Sequence, residues 1–170
     1  MYRHILIPTD GSELAERAVT HGLSPAKFVG AKVTVIIVIE QLGAWLSFAD
    51  HGATIQTFVK YTEQIKKNAA SVLDRVANAA KQAGVPCDTI QVEDVQPHEA
   101  IIATATDRGC DLIVMASHGR SGLSAVVLGS VTNKVLTYTK VPVLVVSVST
   151  GRSLGDGSLP LRGALSSLAC

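Results

Sequence analysis

Five short aliphatic runs recur along this chain, and between each and the next lies enough sequence for a helix. That alternation constrains the fold more than any other feature. A strand that returns parallel to its predecessor needs a crossover of about a dozen residues, usually a helix. The runs are His4 to Pro8, Lys32 to Ile39, about Asp88 to Asp94, Asp111 to Ala116, and Val141 to Val148. Lys32 to Ile39 is almost wholly aliphatic and β-branched, as in a strand buried on both faces. The order β-α-β-α-β-α-β-α-β predicts an α/β fold. It is a single-domain, doubly wound, five-stranded parallel sheet with right-handed crossovers and helices on both faces.

The intervening stretches carry helical punctuation. After Thr9-Asp10-Gly11-Ser12 a helix is expected to about Val29, with Leu14, Ala18 and Leu23 on one face and Gly30 closing it. From Ile55, the residues Phe58, Tyr61, Ile65, Ala69, Val72, Val76, Ala79 and Ala83 recur at spacings of three and four. A helix of that extent is about 40 Å long, with room for a break near its start. Pro97 sits at a first helical position and Gly109 just past an end, with Ile101, Ala105 and Arg108 along one side. Gly129 to Thr139 is the last helix. Glu40 to Thr54, with Gly43, Trp45 and Gly52, has no period and reads as a loop or irregular lid. Residues 1–149 form the expected domain. The Gly/Ser/Leu-rich stretch 150–170 reads as a tail, either disordered or docked through Leu159, Leu161, Leu165 and Leu168.

Bulk properties exclude several functions. Fifteen basic residues against fourteen acidic ones leave no basic stripe for nucleic acid, and 4% aromatic residues make a poor base-stacking platform. Cys87, Cys110 and Cys170 lack metal or redox spacing and read as reduced thiols. No secretory signal is visible, and the longest apolar run falls far short of the roughly 18 residues of a membrane span. The expectation is a soluble cytoplasmic protein with no nucleic-acid or membrane partner.

In an open parallel sheet, ligands bind at the carboxyl ends of the strands, where the strand order reverses. In the common order 3-2-1-4-5 that point lies between the first and fourth strands. Asp10 ends one and Ala116 the other, with Ile39-Glu40 on the flank. The stretch Met115 to Ser130 is the best candidate for a phosphate cradle: a strand runs into a Gly/Ser loop and then into a helix start. Small residues let backbone N–H groups approach an anion, and a helix start adds a positive dipole end. Neither a P-loop nor a dinucleotide fingerprint is present. Asp10 suits ribose hydroxyls, while Gly119, Gly129 and Ser130 offer N–H groups and a hydroxyl to phosphates. Other roles stay open. Asp10 with Glu13 reads equally as a capping box, and Ser130 as an N-cap. Gly119 and Gly122 read also as turn residues, and His118 as a solvated loop residue without a partner acid. Arg120 either pairs with phosphate or sits in solvent, and Trp45 either packs as a lid or stacks on adenine.

These residues resemble the universal stress protein family over nearly all of Met1 to Val148. Ile5-Leu-Ile-Pro-Thr-Asp-Gly-Ser12 is similar to its usual opening, and Val95-Gln-Pro-His98 to its entry into the third helix. Asp111 to Met115 and Lys140 to Val146 resemble its last two strands. The family's nucleotide motif G-x2-G-x9-G-[ST] is matched by Ala116-Ser-His-Gly119, nine residues, then Gly129-Ser130. Ala116 departs from the pattern, where Gly is usual. A negative φ at that strand end makes its methyl tolerable.

The resemblance implies the order 3-2-1-4-5 and a homodimer paired along the last strand, through Val143 and Val145. In ATP-binding members it places Asp10 on the ribose with Pro8 and Thr9 beside it, and gives Ile39 backbone contacts to adenine. Met115, Ala116, His118, Gly119, Arg120, Gly129, Ser130 and Val131 then line the base, ribose and phosphates. Mg²⁺ or Mn²⁺ accompanies the phosphates. The expected function is a stress-response sensor or regulator that binds ATP. The alternatives are a slow ATPase or phosphotransferase, with His118 or Ser130 as its only candidate groups, and a dimeric interaction protein that binds no nucleotide, with Ala116 as its mark.

Overall fold

The computed structural model describes residues 1–40, 55–119 and 128–147. In chain order the elements are β1 (His4–Pro8), α1 (Glu13–Val29), β2 (Lys32–Glu40), α2 (Ile55–Ala83) and β3 (Cys87–Asp94). They continue with α3 (Pro97–Asp107), β4 (Leu112–Ala116), α4 (Ser130–Tyr138) and β5 (Val143–Val146). The strands form one parallel sheet in the order β3-β2-β1-β4-β5. The alternating pattern leads to this layout because each parallel return must cross over the sheet.

Two apolar layers hold the helices to the sheet. On one face Ile5, Ile7, Val33, Val35 and Val114 meet Val19, Leu23 and Ala26 of α1 and Ala69, Leu73, Val76 and Ala80 of α2. On the other, Leu6, Ile36, Ile113 and Met115 meet Ile101 and Ala105 of α3 and Val135 of α4. Alternate residues of β1 and β4 therefore serve opposite layers, as strand geometry requires. Gly22 lets α1 lie close against the sheet. A Cβ there would collide with Cδ1 of Ile7 and meet Cβ of Val114 at 3.6 Å.

Several boundaries differ from expectation for local reasons. β5 spans Val143–Val146 rather than Val141 to Val148. Pro142 has no N–H for a ladder, and its carbonyl instead accepts from Ile113 N–H at 2.9 Å as pairing begins. Position 148 lies outside the described residues. α2 is unbroken over its 29 residues. Its buried stripe runs through Ala69, Leu73, Val76 and Ala80, whereas Ala79 is exposed. Arg108 also leaves the apolar side of α3: it is the C-cap residue, and its guanidinium reaches Asp88 at 3.6 Å. Gly30 ends α1 in the left-handed region, at φ 68°.

The amino edge of the sheet is tied by polar groups. The buried His4 ring makes a 3.0 Å hydrogen bond with the Arg108 carbonyl through Nδ1 and a 2.8 Å bond with the Thr34 hydroxyl through Nε2. A carbonyl only accepts, so Nδ1 carries the proton. The Asp111 carboxylate accepts the N–H groups of Arg3 and His4 at 2.9–3.1 Å.

Candidate functional site

The strand order reverses between β1 and β4. The two strands pair at Ile5–Leu112 and Leu6–Ile113, and their carboxyl ends beyond that ladder diverge into a crevice. Pro8 ends β1. Thr9 is buried; its N–H donates to the Ile36 carbonyl at 2.9 Å, and its hydroxyl accepts the Gly11 N–H at 3.2 Å. These bonds fix the chain just before Asp10. Asp10 itself accepts the Ser12 N–H at 3.0 Å through Oδ1. The helix cap expected of Asp10 and Glu13 falls to Ser12, whose Oγ accepts from Ala15 N–H. Glu13 is the first helical residue, so Asp10 lies too far upstream to cap α1.

The β4 side closes on Asp10. A Cβ built on Gly119 would lie 2.5 Å from Oδ2 of Asp10. Residues about a hundred positions apart therefore meet, as the topology predicts. Ala116 has no left-handed backbone, since no described non-glycine residue has positive φ. Its methyl clusters with Leu14, Ala15 and Ala18 of α1. Met115 faces the opposite layer with Ile101, Ala105 and Val135. His118 gains a partner the sequence did not reveal: its Nδ1 shares a 2.9 Å hydrogen bond with Oγ of its neighbour Ser117.

The entry to α4 corrects part of the expected cradle. Gly129 is the N-cap and Ser130 the first helical residue, so Ser130 does not cap the helix. The Gly129 N–H is not available for an anion, because it donates to the Ser117 carbonyl at 2.8 Å. Gly129 is needed for closeness instead: a Cβ there would stand 3.1 Å from Cα of His118 and 3.3 Å from the Ser117 carbonyl oxygen. The N–H donors of the first turn, Ser130 and Val131 among them, stand at the positive end of the helix. Ser130 is exposed and Val131 half-buried.

The flank of the crevice is formed differently from expectation. Successive backbone polar pairs point to opposite sides of a strand. The Ile36 carbonyl accepts from Thr9 N–H on the β1 side, so Val38 presents its N–H and carbonyl on that side as well. β1 pairs β2 only as far as Pro8–Ile36, which puts Val38 beyond that ladder. Ile39 directs its backbone groups towards β3, and its side chain is buried. Strand parity thus assigns the backbone edge beside the crevice to Val38. Sequence reasoning missed it because the parity depends on the register between β1 and β2.

Arg120, Gly122 and Trp45 lie outside the described residues. A separate open groove of about 520 Å³ lies between α3 and α4, lined by Gln96, His98, Glu99, Ile102, Ala103, Lys134 and Tyr138. None of the expected site residues lines it. The groove also has a carboxylate, Glu99, at a helix start, but it does not lie at the switch in strand order, as the crevice does.

Known proteins share this architecture. The chain is 31% identical over 155 residues to the universal stress protein MJ0577 of Methanocaldococcus jannaschii, covering 86% of this chain and 95% of the relative. The solved structure of MJ0577 superposes with a TM-score of 0.76 at 30% identity, over 89% of this chain and 99% of that one. A universal stress protein solved in complex with cAMP matches at 24% identity with a TM-score of 0.62, over 87% and 98% of the two chains. Another, from Archaeoglobus fulgidus in complex with dAMP, matches at 18% identity with a TM-score of 0.58, over 86% and 98%. Residues 1–147 match the model of the universal stress protein family, and the chain belongs to that family.

Proposed function

We propose that this protein is a nucleotide-dependent sensor or regulator in stress response, holding ATP in the crevice between β1 and β4. The observation that carries the reading is the meeting of Asp10 with Gly119. It sets a carboxylate for ribose hydroxyls beside a loop that leads to the start of α4 for the phosphates. Val38 offers backbone groups to the base. Two solved neighbours of the same fold hold adenine nucleotides, cAMP and dAMP. Gly119 and Gly129 let the two walls come together, since a Cβ would meet Asp10 at one and the 117–118 backbone at the other.

Among the described residues no group of three or more His, Cys, Asp or Glu is placed to hold a metal ion. Mg²⁺ or Mn²⁺ would therefore be carried by the phosphates, whose charge it would partly neutralise. The proposed state is a homodimer through β5, the sheet's edge. Val143 and Val145 are half-buried there, and Leu144 is 45% exposed, an apolar edge suited to a second copy. The proposed location is the cytoplasm, where the thiols of Cys87 and Cys110 stay reduced. No helix among the described residues is long and apolar enough to cross a membrane.

One observation favours a second reading. The Ser117–His118 hydrogen bond gives a slow phosphotransferase an oriented imidazole beside the proposed phosphate end. Denaturing the purified protein and resolving the released nucleotides on an ion-exchange column tests both readings. Intact ATP supports the sensor, and accumulating ADP with turnover supports the enzyme. No released nucleotide, together with no heat on titration with ATP, overturns both.

A further inference from the structure

We propose that Thr132 is a positioning residue that aims the first turn of α4 at the nucleotide's phosphates. The inference rests on the nucleotide reading above and deepens it. Thr132 is the third residue of α4 and is 3% exposed, so its hydroxyl is not a surface group. Oγ1 donates to the carbonyl of Ala116, the last residue of β4, at 2.9 Å. The N–H of Ser117 goes to Val146 of β5. Alternation along the strand therefore turns the Ala116 carbonyl the other way, towards β1. It lies past the end of the β1–β4 pairing, at the floor of the crevice.

Two consequences follow from that placement. First, the hydroxyl binds an acceptor that would otherwise present its negative end beneath a polyanion. Secondly, it fixes the direction of the helix start. The Gly129 N–H bonds to the Ser117 carbonyl at 2.8 Å, and Thr132 supplies a second strut one turn away. Two struts define an orientation where one leaves a pivot. The Asn133 N–H donates to the Gly129 carbonyl at 2.9 Å, so the turn between the struts is itself closed.

Thr132→Ser retains the hydroxyl, and Thr132→Ala removes it with the same loss of the methyl group, so their difference isolates the strut. The two variants and the parent are titrated calorimetrically with Mg·ATP and with adenosine, and their thermal midpoints are recorded. The Ala variant is expected to bind ATP about tenfold more weakly than the Ser variant. Adenosine affinity, which does not use the helix start, stays within about twofold. Equal ATP affinity of the two variants overturns the positioning role. So does a loss of equal size for ATP and adenosine, which marks a general weakening of the fold. A parent that binds neither ligand overturns the nucleotide reading itself.

Discussion

Gly119 leaves its Cα against the carboxylate of Asp10, so close that an added Cβ would stand 2.5 Å from Oδ2. Gly119 is absent from the described glycines with positive φ. Its lack of a side chain therefore serves proximity rather than backbone conformation. Gly119→Ala is expected to push the Asp10 carboxylate aside with little change in thermal midpoint. ATP and adenosine should both bind about tenfold or more weakly, as when a charge-assisted hydrogen bond is lost. Asp10→Ala should do the same, whatever the number of phosphates. Calorimetry with ATP, AMP and adenosine checks this, and a loss confined to ATP would exclude the ribose role.

Gly129→Val tests the other wall. The added Cβ must displace the His118 backbone, 3.1 Å away, so the start of α4 moves away from the end of β4. ATP binding should fall at least about tenfold. A fluorescent ATP analogue displaced by unlabelled ATP reads the effect. A variant that binds as the parent does would show that the helix start is no part of the site.

Gly11 and Gly30 separate conformational strain from crowding. Both adopt left-handed backbone, at φ 77° and 68°. A Cβ on Gly11 would lie 2.9 Å from Cγ2 of Val72, whereas nothing lies within 4 Å of one on Gly30. Gly30→Ala should cost about 1 kcal/mol from backbone strain alone. Gly11→Ala should cost about 1 kcal/mol more, because Val72 must also yield. Urea unfolding midpoints of the two variants give the comparison, and equal losses would contradict it.

Acid should weaken the fold in two stages. Burial, with help from Lys32, holds His4 below its ordinary 6.5, against the opposing bond to the Arg108 carbonyl. The unfolded chain then binds more protons than the folded one just below pH 6.5, so stability falls as the pH drops through that window. For Asp111, burial acts to raise the value, but the N–H groups of His4 and Arg3 outweigh it and leave it below 3.8. Its contribution is present above 3.8 and is lost as pH falls through the folded value. Urea titrations from neutral pH to about 5 should show the first stage in the parent and a smaller one in His4→Gln. Identical curves would remove His4 from the account.

Leu144→Lys tests the proposed dimer. A charge at this exposed position on the edge strand opposes pairing with a second copy. Sedimentation should show a dimer for the parent and a monomer for the variant. A variant that stays dimeric, or a parent that sediments as a monomer, would place the interface elsewhere or remove it.

Much of this architecture is written in contiguous residues. The aliphatic run at Val33 to Ile39, the apolar spacing through Ala69 and Val76, and glycines at 30, 84 and 109 just past helix ends are local signals. Each depends on neighbours within a turn or two, so element order and the place of the crevice were legible from them. The resemblance of residues 116–130 to a nucleotide motif was equally local. What tertiary structure alone decided was how the crevice's backbone groups are used. The Gly129 N–H goes to Ser117, Ser12 rather than Asp10 caps α1, and the Thr132 hydroxyl holds Ala116. Val38 rather than Ile39 faces the end of β1, because the Thr9–Ile36 bond sets the parity of β2. The direction of a carbonyl or the closeness of two backbones depends on register between segments far apart in the chain, and no local pattern encodes that register.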